Sequence, residues 1–340
     1  IGYIGDLSEF PDKVFRIPEE VNGVKLKIIN DSAFNRMTLY NWEVVIPETV
    51  TDIYKSAFWG SGISKVNLPV GLKTIGVSAF YGNNITELNI PSTVTSIGDK
   101  AFTANKVTSE EQAWIYKRTE SGIDYSTIVS YAGADRNDIS IPAEKDGVKL
   151  KTITSNALSE LYFTGTLKIP STVTNILTGA FHRNNVTYVD MGDGTLTDGF
   201  VYAKNQDGSV DYTNIVGYAK IDTQNVIIPA NVKKISDNAF YYSNIKGIVF
   251  PEGLTEIGKK AFELCQLGPE VTIPSTVTKI GDNAFYKVIN WSTFNASLTK
   301  IINKTGRKFD WKAITGGPTE ATFEYGTVEN WYGNIEVVKG

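Results

Sequence analysis

Apolar positions return along this chain in one frame. Isoleucine precedes proline, valine and a second isoleucine stand three and six residues after the proline, and Ala-Phe closes the unit. The frame is almost complete at Ile46-Pro47 to Ala57-Phe58, Ile90-Pro91 to Ala101-Phe102, Ile169-Pro170 to Ala180-Phe181, Ile228-Pro229 to Ala239-Phe240 and Ile273-Pro274 to Ala284-Phe285. Leu68-Pro69 to Ala79-Phe80 and Phe250-Pro251 to Ala261-Phe262 are close variants, and proline to phenylalanine is eleven residues in all seven. Prolines 47, 69 and 91 stand 22 apart, as do 229 and 251, with 23 to Pro274. A strict period in this range predicts stacked coils, each burying its apolar face only against its neighbours.

Within one unit, Ile85, Leu88 and Ile90 alternate with polar residues as in a half-buried strand, and Pro91 ends it because proline cannot donate to a ladder. Val94 and Ile97 point back inside, Gly98-Asp99 makes a bend, and Phe102 fills the interior beside small Ala101. The strand pattern recurs at Ile63-Val66-Leu68, Val186-Val189-Met191 and Ile245-Ile248-Phe250. Asn83, Asn105 and Asn184 fall three residues after the phenylalanine, at a bend where left-handed backbone is expected.

Two copies carry five extra residues, with Asn22-Gly23 and Asp146-Gly147 as hairpin-turn signals. Two interruptions resemble each other. One runs from Trp114-Ile115-Tyr116 through Ser121-Gly122 to Tyr131-Ala132, the other from Phe200-Val201-Tyr202 through Asp207-Gly208 to Tyr218-Ala219. Each reads as a β-hairpin. Ile1-Gly2-Tyr3-Ile4-Gly5 resembles the tail of a third copy, which implies an array continuing upstream. At the C-terminus Leu298–Ile301 reads as a strand, and the segments around Phe323–Val328 and Trp331–Val338 read as a hairpin capping the exposed end.

The string I-P-x-x-V-x-x-I-x-x-x-A-F resembles the BspA-like (Treponema-pallidum-type) leucine-rich repeat family of bacterial surface proteins, over most of residues 17–302. The resemblance implies an exported or cell-surface protein engaged in adhesion to matrix proteins or in contacts between cells. It carries over no binding residues, since the shared motif is the structural core.

Composition narrows the function. With 41% apolar and 21% charged residues the chain is a folded protein, and its net charge of −4 argues against nucleic-acid or anionic-membrane surfaces. No apolar run reaches transmembrane length. One cysteine, Cys265, excludes an internal disulfide framework and a thiolate cluster. It is expected to pack as a small apolar side chain. His182 is the only histidine, at a position where other copies carry Tyr81, Tyr241 or Thr103, and is read as a solvated turn residue. Asn205–Asp211 is superficially like a calcium loop but lacks the terminal glutamate, so a Gly turn is expected. Glu19-Glu20 and Glu110-Glu111 are read as solvated. Trp59, Tyr81, Tyr241, Tyr242 and Tyr286 at the bends, and Tyr116, Tyr125, Tyr202 and Tyr212 on the hairpins, either contact a ligand or cover neighbouring coils.

The expected fold is thus a β-rich, right-handed leucine-rich-repeat solenoid with parallel strands over 1–302, hairpins at about 112–133 and 198–220, and a C-terminal β cap over 303–340. The expected function is non-enzymatic binding of a host matrix protein, another surface protein or a glycan, by a secreted or surface-located monomer without cofactor, metal or catalytic set. The outward strand residues Lys65, Asn67, Glu87, Asn89, Tyr188, Asp190, Lys246 and Val249 form the expected binding face. A carbohydrate module using the hairpin tyrosines, or a passive spacer displaying another domain, are the rival readings.

Overall fold

The computed structural model describes residues 11–221, 225–288, 297–316, 322–323, 325–330 and 333–340. They gather in two compact units: one runs to Asn137 and includes Pro142–Leu161, the other comprises Asp138–Ile141 and Tyr162–Gly340. The segment expected as the tail of a third hairpin copy, residues 1–5, lies outside the described residues. Both units are strand-rich repeat solenoids.

In the first unit the strands Val14–Arg16, Glu43–Val45 and Lys65–Asn67 pair in parallel, with Phe15, Val44 and Val66 in one register. These middle residues are buried while Lys65 and Asn67 face solvent. A second parallel ladder joins Ile28–Ile29, Asp52–Ile53, Thr74–Ile75 and Ser96–Ile97. Proline links the two ladders. In each regular coil the carbonyl of Pro47, Pro69 or Pro91 accepts from the amide three residues on, a turn that aims the valine or leucine inward. Gly98 sits where a Cβ would lie 2.4 Å from the Val77 amide nitrogen, so successive coils touch backbone to backbone at that point.

The Ala-Phe arc closes each coil. The amides of Phe34, Phe58 and Phe80 donate to the carbonyls of Ala57, Ala79 and Ala101 in the next coil. Their rings form a column: Phe34–Phe58 5.2 Å, Phe58–Phe80 5.0 Å and Phe80–Phe102 5.4 Å between centroids, with planes within 14° of parallel. Offset stacks of this kind add to the area that each ring buries. Every arc is bracketed by two left-handed residues four apart. Ser56 and Gly60, Ser78 and Gly82, and Lys100 and Ala104 are examples in this unit, and Asn238 with Tyr242 and Lys260 with Leu264 repeat it in the other.

Asn83 and Asn105 do not take the left-handed bend expected of them. They are 2% and 1% exposed, and their amides donate to two phenylalanine carbonyls each: Asn83 to Phe58 and Phe80, Asn105 to Phe80 and Phe102. Their Oδ1 atoms accept from the amides of Ile63 and Ile85. Each asparagine thus joins two coils where the chain turns away from the arc and leaves carbonyls without strand partners. Ser61, Ser243 and Cys265 hold the same position in other coils and donate to Phe34, Phe240 and Phe240 carbonyls respectively.

The Asn22-Gly23 and Asp146-Gly147 segments form the expected turns, with positive φ at all four residues and short antiparallel pairs Glu20–Val21 with Val24–Lys25 and Glu144–Lys145 with Val148–Lys149. The hairpins pair Trp114–Thr119 with Gly122–Tyr131 and Phe200–Lys204 with Val210–Tyr218. They are more deeply built in than excursions. Within its own unit, each hairpin carries a strand into a parallel pair, Ile128 beside Ile153 and Ile215 beside Ile235.

The second unit repeats this plan. Thr166–Lys168 pairs in parallel with Tyr188–Asp190, Asn225–Ile227 with Gly247–Val249, and Glu270–Ile273 with Lys300–Asn303. Lys234–Ile235, Glu256–Ile257 and Lys279–Ile280 form its second ladder. Phe240, Phe262 and Phe285 stack at 5.0 and 5.4 Å, with Tyr218 of the hairpin 5.0 Å from Phe240 at the head of the column. At the other end a short helix, Trp311–Thr315, stands in for the next arc: the Ile314 carbonyl accepts from the Phe285 amide, and Trp311 is fully buried. Asp310 caps its start by accepting from the Lys312 and Ala313 amides. Sequence patterning missed this helix, whose five residues are too few to display a period. Gly333–Lys339 adds a parallel strand to Lys300–Asn303 and turns back against Gly326–Asn330, the expected terminal hairpin.

Candidate binding surface

The strand ladders set the residues between the buried middle positions outward. On the first unit Glu43 is their hub, its carboxylate accepting from Asn67 at 2.5 Å and from the Lys65 ammonium at 3.2 Å. This charged row is solvent-exposed and screened, so it orders the surface more than it stabilises it.

Glu87 and Asn89 are exposed but do not lie on an assigned strand, contrary to the half-buried strand expected over Ile85–Ile90. The helix Glu110–Ala113, capped by Ser109, lies alongside instead, and the Gln112 side chain substitutes for a strand partner. Gln112 accepts from the Leu88 amide and donates to Asn89, which also donates to Glu87. Glu110 and Glu111 are exposed as expected, and Glu111 pairs with Lys145 at 2.9 Å.

On the second unit Tyr188 is exposed and opens its strand. Asp190 is a turn acceptor, bonded to the amides of Gly192 and Gly194, which limits its reach towards a ligand. Lys246 is exposed but precedes the strand Gly247–Val249, so its place in the outward row belongs to Gly247. Val249 does face outward, beside Ile227 on the neighbouring strand. Sequence reasoning overlooked Ile227. It occupies the same strand position as Asn67, but the repeat's own apolar pattern drew attention to inward residues.

His182 is not solvated. It is 6% exposed, its Nδ1 lies 2.7 Å from the Gly179 carbonyl, and its ring meets Tyr241 edge-on at 5.6 Å. Burial follows from its place directly after Phe181, where the arc packs against other aromatic bends. Trp59 and Tyr81 likewise stack on each other at 6.0 Å beneath the Arg36 guanidinium, so these bend aromatics cover coils. Cys265 packs as expected; burial pushes its thiol up to about 12.

The hairpin tyrosines are half concealed. Tyr116 and Tyr202 are 9% and 3% exposed, each in edge contact with a less buried partner, Tyr125 at 5.1 Å and Tyr212 at 5.0 Å. Burial lifts the Tyr116 and Tyr202 phenols to about 12, so neither supplies a base at neutral pH. Beside each pair opens a cleft. The first, about 160 Å³, is lined by Trp114, Tyr116, Tyr125, Glu111, Gln112 and Arg118 among others; the second, about 510 Å³, lies between the second hairpin and Asn225–Ile227. In the Asn205–Asp211 turn, Asp207 accepts from the Ser209 amide and hydroxyl, the geometry of a closed loop. Among the described residues no three His, Cys, Asp or Glu side chains converge to hold a metal ion, and no helix is long and apolar enough to cross a membrane.

Stacked coils of this kind, with a strand row held outward over a repeating core, define a leucine-rich-repeat protein. The chain belongs to the BspA type leucine rich repeat family, which matches it in six copies over residues 15–112, 130–202 and 216–309. Among solved structures it is similar to the pneumococcal vaccine antigen PcpA, at 18% identity over 86% of this chain and 72% of that one, with a TM-score of 0.42. It is also similar to a leucine rich cell surface protein of Faecalibacterium prausnitzii, at 19% identity over 90% and 91% of the two chains and a TM-score of 0.35. The leucine rich repeat protein of T. pallidum gives 19% identity over 57% and 70%, with a TM-score of 0.27. No curated protein matches the chain.

Proposed function

We propose that this protein binds a macromolecular partner at a bacterial cell surface, without catalysis, through the outward row of its strand ladders. One observation carries the reading. The middle residues of successive strands (Val44, Val66, Val189, Val226) are buried, and the flanking side chains stand out on a rigid parallel frame. Many shallow contacts on such a frame sum to a specific interface without the ordering cost a mobile loop would bring. The outward residues are Lys65, Asn67, Glu87 and Asn89 on the first unit, and Tyr188 and Val249 on the second with Asp190 and Lys246 at the margins; the segment 303–340 acts as the cap. Membership of the BspA type leucine rich repeat family supports a surface or extracellular location.

The test is a screen of the full chain against matrix proteins and cell-wall glycans. It is repeated with a variant carrying Lys65→Glu, Asn67→Ala and Tyr188→Ala, all solvent-facing. Loss of capture by at least about tenfold, roughly 1.4 kcal/mol, supports the outward row; undiminished capture rejects it.

A second reading rests on the first cleft, where Trp114, Tyr116 and Tyr125 meet Glu111, Gln112 and Arg118. Aromatic rings beside planar polar groups suit a sugar. Glycan capture abolished by Tyr125→Ala alone would favour it.

A further inference from the structure

We infer that the cleft between the second hairpin and strand Asn225–Ile227 anchors a bulky apolar side chain presented by a partner protein, flanked by basic residues. This rests on the reading that the outward face binds a partner, and names where and to what chemistry. The floor is fixed: Phe200, Tyr202 and Tyr218 line the cleft and are 5%, 3% and 2% exposed. Its lips are the reverse. Leu196 and Ile227 line the same cleft and remain 54% and 70% exposed, and Val249, the cross-strand neighbour of Ile227, extends the apolar surface at 56%. An open cleft with a buried aromatic floor, continuous with exposed aliphatic side chains, can seat one anchor residue of an interface.

The rim fixes the partner's charge. Asp198 lines the cleft, Asp193 accepts from the Tyr212 hydroxyl at 2.7 Å, Asp190 lies opposite Leu196, and Asp211 precedes Tyr212. Three ammonium groups stand near them, Lys168 being the cross-strand neighbour of Asp190. Lys220 is paired with Asp198, and Lys204 is turned onto the carbonyls of Met191 and Gly208. Four carboxylates against three ammonium groups leave a net negative border, which steers a basic segment.

The test pans a random short-peptide phage library on the full chain, and titrates the enriched peptides against wild type and Leu196→Asp/Ile227→Asp. Enriched peptides should carry an aromatic residue or leucine between lysines or arginines. They should bind the double variant at least about tenfold more weakly and lose affinity with added salt. Because both positions are exposed, the thermal midpoint should hold. Should it fall, Asp193→Asn/Asp198→Asn, which leaves the apolar lips intact, must still weaken the basic peptides several-fold. Enrichment of nothing, of acidic peptides, or of peptides indifferent to both variants overturns the inference. So does concentration-dependent dimerisation of wild type that Ile227→Asp abolishes, since a second copy would then be the occupant. If the cleft fails while Lys65→Glu/Asn67→Ala still abolishes partner capture, only the cleft is lost. If neither set matters, the outward-face reading falls with it.

Discussion

The ring of Phe80 lies 5.0 Å from that of Phe58, with the two planes 6° apart and the two residues 22 positions apart in the chain. That relationship is the period of the sequence expressed as a distance. Each ring is fully buried and fills the gap its neighbour would otherwise leave. Truncating Phe80 to Ala should cost about 3–5 kcal/mol by opening a cavity that two coils line. Denaturant unfolding checks this, and an unchanged midpoint would remove the column from the core.

Asn83 carries the second prediction. Replacement by Ala strands the buried Phe58 carbonyl and Ile63 amide, while the Phe80 carbonyl keeps the Asn105 amide, at a cost of about 2–4 kcal/mol. Asn83→Ser should cost less, because Ser61 already supports a phenylalanine carbonyl from the same position. Equal midpoints for the two variants would contradict the ladder.

Backbone handedness gives the third. Ser78 has φ of 55°, a region that costs an L-residue about 1–2 kcal/mol and a β-branched one more. Ser78→Gly should leave stability level or raise it, and Ser78→Val should lower it. The opposite order of melting temperatures would rule out the left-handed bracket.

Cys265 gives a pH dependence. Its thiol is raised to about 12 by burial, so the folded state holds the protonated form. Stability is therefore constant below the unfolded thiol value of about 8.5 and falls as pH climbs from there towards 12. Cys265→Ser, which mimics Ser61 and Ser243, should remove this alkaline loss. A thiol reagent at neutral pH should label native protein only at the rate of local opening; immediate labelling would show the thiol is accessible.

The core was legible because burial imposes a repeating demand: phenylalanine at the arc, proline after the strand and Asn-Gly at the long turns each follow from one local requirement. The two left-handed residues of each arc were not legible. Ser56, Lys100, Asn238 and Tyr242 share no side-chain chemistry, and tertiary stacking rather than propensity holds them there. The binding face was partly legible. Alternation identified Lys65, Asn67 and Val249 as outward, but could not show that Gln112 would reach back to Asn89 or that Asp190 would turn onto its own loop. The cleft escaped because Leu196 and Ile227 come to line one opening only after the second hairpin folds, and residues 31 apart in sequence leave no local signature of that arrangement.

The most direct measurement is hydrogen exchange on the full chain, free and saturated with whichever partner the screen captures. The account predicts that protection appears at the outward strands, around 65–67, 188–190, 225–227 and 247–249. Protection confined to the Ala-Phe arcs or the Asn22-Gly23 and Asp146-Gly147 turns, with those strands unchanged, would contradict it.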